Sequence, residues 1–69
     1  MQEIYLIKSV DKKLKNFGLV CNSPIALECR IGEFFLFNYN GKRLALHEEQ
    51  MFLIDLERIY ISDMIHNHT

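Results

Sequence analysis

Three histidines, two cysteines and a scatter of carboxylates are the side chains of this 69-residue chain that could do chemistry. His47, His66 and His68 carry imidazoles of the kind zinc accepts. They have no further ligand at zinc-binding spacing, and His66 and His68 stand in a polar tail. They read as solvated histidines, and no metal is expected. Glu48-Glu49, Asp55 with Glu57, and Asp63 offer carboxylates for general acid–base work. Such work needs one carboxyl buried and its neighbour exposed, so that their pKa values separate. Nothing in the sequence arranges that, and these acids read as solvated turn residues. Cys21 or Cys29 with His47 would supply a nucleophile and a base. No local motif surrounds either thiol, and a domain this small has little room for a catalytic cleft. No catalytic residue is assigned, no enzyme is expected, and no cofactor is implied.

The two cysteines make neither a disulfide framework nor a zinc knuckle. Free, buried thiols are expected, as in a reducing compartment. A hairpin at Asn22-Ser23-Pro24 would bring Cys21 and Cys29 face to face, which keeps a cross-strand bridge open as the alternative. Lys8, Lys12, Lys13 and Lys15 cluster near the N-terminus, but the net charge of −1 argues against a dedicated nucleic-acid binder. The cluster reads as a solvated loop around Asp11. If the chain does grip an anion or a partner, the candidates are Lys12, Lys13, Lys15, Lys42 and Arg43.

The elements that must position these groups are strands. Glu3 to Val10 is rich in Ile, Tyr, Leu and Val. Asp11 to Asn16 is a charged loop, and Phe17 to Cys21 a second short strand stopped at Asn22-Ser23-Pro24. Ile25 to Ile31 alternates, with Ile25, Leu27, Cys29 and Ile31 on one face and Ala26, Glu28 and Arg30 on the other. Gly32-Glu33 turns the chain into Phe34 to Asn38. Asn40-Gly41 then reverses it into Lys42 to His47, because Asn-Gly suits the two positive-φ positions of a type I′ turn. Glu48 to Ile61 carries mixed signals. Acids at its start and Arg58 near its end suit a helix, with Phe52, Leu56, Ile59 and Tyr60 on one face. Its β-rich runs predict instead two strands, Met51 to Asp55 and Ile59 to Ser62, joined by a turn at Leu56-Glu57-Arg58. The expected fold is all-β, a small closed or partly open barrel of six or seven short strands in one domain over 1–65, with 66–69 a frayed polar tail.

From Ile31 onwards the order of residues resembles the C-terminal half of the chaperonin-10 family, the small co-chaperonins. The matching parts are Ile31-Gly32-Glu33, Phe37, Tyr39 with Gly41, Leu44 with Leu46, Glu48-Glu49, Phe52-Leu53-Ile54 and Ile59. Three turns need single-residue length changes. The resemblance implies a barrel and a ring. Co-chaperonins also carry a long mobile loop with an aliphatic docking segment. Phe17-Gly18-Leu19-Val20 stands either for that segment or for the strand after it, with the loop deleted; a barrel needs the strand.

Hydrophobic residues make up 49% of the chain, with five Phe and three Tyr, which is generous for a domain whose strands must half face water. Phe34-Phe35-Leu36-Phe37 is apolar on both faces and wants cover on both. A homo-oligomer is expected, with Ile4, Leu6, Phe34, Leu36, Phe52 and Ile54 at the subunit interface; a tightly packed monomer is the alternative. Met1 to Val10 carries Glu3 and Lys8 where a secretory signal would be apolar, and no run approaches the ~20 residues of a membrane span. A soluble cytoplasmic protein is expected. Two functions compete: a non-enzymatic module, like a reduced co-chaperonin, binding a host or cellular protein; or a small ligand- or nucleotide-binding protein, or inhibitor, of a phage or mobile element, with pockets at subunit interfaces.

Overall fold

The computed structural model describes residues 2–60. Five strands follow one another: β1 (Glu3–Val10), β2 (Pro24–Ile31), β3 (Phe34–Tyr39), β4 (Lys42–His47) and β5 (Ile54–Ile59). Two 3₁₀ helices interrupt them, η1 (Lys12–Phe17) after β1 and η2 (Gln50–Leu53) before β5. All strands lie antiparallel in one sheet of order β4-β3-β2-β1-β5. The all-β class is as expected, but the sheet does not close into a barrel, and among the described residues it has five strands where six or seven are expected. β4 and β5 remain its two edges.

The core shows how an open sheet buries so much. Leu46 on β4 and Ile54 on β5 belong to the same buried cluster as Ile7, Leu14, Ile25, Phe37 and Tyr39. Opposite edges share one core, so the sheet curls around it. η1 contributes Leu14 to that core, and η2 packs Met51 and Leu53 against it.

Three sequence expectations are corrected. Phe17 to Cys21 forms no strand. Asp11 caps η1 by accepting from the Lys13 N–H at 2.9 Å, and Gly18 ends it at φ 69°. Beyond that, the Val20 N–H is taken by the Tyr39 hydroxyl at 3.1 Å instead of by a neighbouring strand. That hydroxyl also bonds Ser23 Oγ at 3.0 Å, and Ser23 Oγ in turn donates to the Val20 carbonyl. A tyrosine from β3 therefore holds the connection where a strand was expected. Second, Met51 to Asp55 is not one strand and Leu56-Glu57-Arg58 is not a turn. The Gln50 side chain accepts from the His47 N–H at 2.7 Å, and the Met51 N–H donates to the Glu48 carbonyl at 3.2 Å. The chain coils once through η2, and β5 runs unbroken across positions 56–58. The remainder of the second expected strand, and the tail at 66–69, lie outside the described residues.

Third, the clean alternation of β2 does not survive pairing. Leu27 pairs with Phe37, but the next pair is Cys29 with Leu36, so a bulge stands at Glu28. Each face is inverted beyond it. Cys29 and Ile31 leave the core side, and Arg30 arrives there, with its guanidinium 4.8 Å from the Phe35 ring centre.

The two turns around β3 follow the sequence. Asn40 and Gly41 both have positive φ, 52° and 80°, which is the type I′ arrangement. Gly32 opens the other turn at φ 58°.

Candidate functional site

Cross-strand partners share a face of the sheet, so the register sorts every strand residue. The inner face carries Tyr5, Ile7, Ile25, Leu27, Phe35, Phe37, Leu44, Leu46, Ile54 and Leu56, all in the core or packed on it. The outer face carries a second apolar set. One row runs Ile59–Ile4–Ala26 and continues into the polar Asn38 and Arg43, the next runs Cys29–Leu36–Ala45, and the third Ile31–Phe34–His47. Leu6 stands beside Pro24 on the same face. None of these packs on the core. Ile31 is 62% exposed and Phe34 46% exposed. Among the described residues, no element lies over this face.

Four of the six expected interface residues, Ile4, Leu6, Phe34 and Leu36, thus gather on one surface. Phe52 stands apart on η2, and is 89% exposed. Ile54 is the correction: it is 8% exposed and belongs to the core, because β5 enters the sheet with that side chain inward.

The expected basic group divides. Lys42 and Arg43 line a groove of about 420 Å³ together with Asn16, Phe17, Gly18, Tyr39, Asn40 and Leu44. Lys12, Lys13 and Lys15 are exposed on η1 and do not line it. Arg43 is also paired with Glu28 at 3.1 Å, whereas Lys42 has no ion pair among the described residues. A second recess lies around η2, lined by Ser9, Val10, Asp11, Met51, Phe52, Leu53, Ile54 and Asp55. Its charges are acidic.

The chemistry-bearing residues are accounted for one by one. His47 Nδ1 accepts from the Glu49 N–H at 3.2 Å, so the ring proton sits on Nε2 and donates to Glu33 at 2.9 Å. Both nitrogens are occupied by groups next to the β2–β3 and β4–η2 turns, and neither meets a thiol. Phe34 stands edge-on to the same imidazole, with ring centres 5.2 Å apart. Among the described residues, no three of His, Cys, Asp and Glu are grouped as metal ligands would be. His66, His68 and Asp63 lie outside the described residues. Glu48 pairs with Arg30 at 2.9 Å on the surface, and Arg58 with Glu3 at 3.3 Å. Glu3 also accepts from the Tyr5 hydroxyl at 2.7 Å; that bond, aided by partial burial, raises the Tyr5 pKa above its ordinary 10.0. Among the described residues, no helix is long and apolar enough to cross a membrane.

Cys21 and Cys29 are free, as expected, but both are exposed and not buried. The bulge at Glu28 explains Cys29; Cys21 sits in the turn before β2. Both thiols of the native protein are therefore expected to react fully with a thiol reagent without denaturant. A native count below two, or an intact mass lacking two hydrogens, would contradict this arrangement.

Comparison of the chain with protein-family models, with curated proteins and with solved structures finds no match.

Proposed function

We propose that this chain is a non-enzymatic interaction module that self-associates and offers its remaining apolar surface to another protein. The observation that supports this is the outer sheet face. Two apolar groups stand there, Ile4, Leu6 and Ile59 on one side and Leu36, Ile31 and Phe34 on the other, with Glu28, Asn38 and Arg43 between them. An uncovered apolar surface costs roughly 25 cal/mol for each Å² left in water. Contiguous patches of this kind mark contact surfaces, whereas isolated exposed residues do not. The resemblance of Ile31 to Ile59 to the co-chaperonin half makes a ring the proposed form of the assembly, and a cellular protein its proposed partner.

Sedimentation equilibrium at micromolar concentration tests the self-association. A homo-oligomer is the expected result. A strictly monomeric protein removes both oligomer and ring and leaves only the sheet. A second reading, a module for a small anionic ligand, is favoured by one observation: the groove where Lys42 and Arg43 adjoin Phe17 and Tyr39. A native mass spectrum showing a monomer with a co-purified small molecule would decide for it.

A further inference from the structure

We infer that the subunits join head to tail, with Phe52 of one copy seated in the Asn16–Leu44 groove of the next. This rests on the self-association proposed above, but assigns the subunit contact to η2 and the groove and leaves the outer sheet face to the other protein. The two surfaces are different, and their residues are complementary in chemistry.

The first surface projects. η2 turns Met51 and Leu53 inward, and by doing so sends Phe52 out to 89% exposure. Nothing in the chain's own core needs this ring. The charged residues that line the recess beside it are Asp11 and Asp55, with Lys12 and Lys13 following Asp11 on η1. The Asp11 side chain caps η1, whereas Asp55 has no ion pair among the described residues.

The second surface receives. Its walls are apolar or aromatic at Phe17, Tyr39 and Leu44, and its rim carries Lys42 and Arg43. About 420 Å³ falls within the size range of sites that enclose small aromatic groups. An aromatic knob flanked by carboxylates fits an aromatic groove rimmed by cations. Desolvated aromatic anchors of this type dominate interface energies.

Their placement makes the contact heterologous. The groove lies at the Lys42 end of β4, beside the Asn40-Gly41 turn; the knob lies beyond the His47 end, on η2. Each copy then has one knob and one groove at separate places, so contacts repeat in one direction. Such an interface yields a ring where the rotation closes and a filament where it does not. It also brings together the strands left at the sheet edges. β4 is basic at Lys42 and at Arg43, which is paired with Glu28, and β5 carries Asp55 and Glu57, its Arg58 being paired with Glu3. Opposite charge on the two open edges selects β4 against β5 and disfavours β4 against β4.

Three proteins test this: wild type, Phe52→Asp and Lys42→Asp. Both positions are exposed, and far-UV circular dichroism confirms the fold of each. Each substitution alone should weaken self-association by about thirtyfold or more, as loss of an interface anchor does. Mixing the two variants is the decisive arm. Phe52→Asp keeps its groove and Lys42→Asp keeps its knob, so equimolar mixing should restore one contact and give a 1:1 dimer that grows no further. The doubly swapped Lys42→Asp, Asp55→Lys variant should recover higher assembly. An oligomeric wild type whose two variants remain oligomeric overturns the head-to-tail contact and leaves the proposed function standing. Variants that dissociate but form no dimer on mixing also overturn it, in favour of a two-fold contact. A monomeric wild type removes the proposed function and this contact together.

Discussion

Phe37→Ala is expected to leave the chain unfolded at 25 °C. Phe37 is 1% exposed and is the largest of the fully buried side chains. It stands mid-sheet on β3, between Leu27 of β2 and Leu44 of β4. It shares the buried core with Ile7, Leu14, Ile25 and Leu46. Removing a buried Phe side chain costs about 3–5 kcal/mol, counting the cavity left behind. A single core of this size supplies about 3–5 kcal/mol in all. The two figures meet, so no stable monomer remains. Circular dichroism should show a disordered chain and no cooperative melt. Phe37→Leu retains an apolar side chain and should fold with a lowered Tm. The measurement is made over a range of concentrations, because self-association would add stability that depends on concentration. A cooperative transition for Phe37→Ala within a few degrees of wild type would show that the core is centred elsewhere.

Gly41→Val is expected to lower the Tm by about 10 °C, from a loss of about 2 kcal/mol. Gly41 has φ 80° and follows Asn40 at φ 52° in the β3–β4 turn. A Cβ built on Gly41 meets nothing within 4 Å, so crowding contributes nothing to the loss. The whole effect is backbone strain, which is greatest for β-branched side chains at positive φ. The Asn38 side chain, which accepts from the Gly41 N–H at 3.2 Å, holds the turn in that conformation. Gly41→Asn is the control, because Asn tolerates left-handed backbone, and it should lose much less. Equal loss in both variants would show that the side chain and not the backbone is at fault. No loss in either would mean that the turn is not type I′.

The parts of the fold legible in the sequence were those specified locally. Strand β4 is bounded as its residues suggest, since Asn40-Gly41 begins it and Glu48-Glu49 ends it. The two-sided character of Phe34 to Phe37 is also as read, with Phe35 and Phe37 inward and Phe34 and Leu36 outward. Of the candidate interface, Ile4, Leu6, Phe34 and Leu36 were legible because apolar residues in positions i and i+2 must share a face. Ile54 was not, because its facing depends on η2 turning the chain first. The groove was half legible: Lys42 and Arg43 were singled out by charge, but Asn16, Phe17 and Leu44 are brought to them only by folding. The apolar composition of Phe17 to Cys21 predicts a strand. What removed the strand was a hydroxyl on Tyr39, 19 residues away from Val20 in sequence.

Legible from the residues alone are the all-β class, the strands at Glu3 to Val10, Ile25 to Ile31, Phe34 to Asn38 and Lys42 to His47, the Asn40-Gly41 reversal and the abundance of large apolar side chains. These follow from backbone preference and from period-two patterning, both of which act between near neighbours. Which side chains are left outside is set by how the strands pair. The bulge at Glu28 moves Cys29 and Ile31 to the outer face and Arg30 to the inner one. A one-residue insertion in a ladder inverts every later side chain, and it is set by how two strands pair, so no local pattern announces it. Likewise, the opening of the barrel depends on whether the β4 and β5 edges meet. η2 spans the interval between them while the core closes beneath, so among the described residues β4 and β5 do not pair with each other.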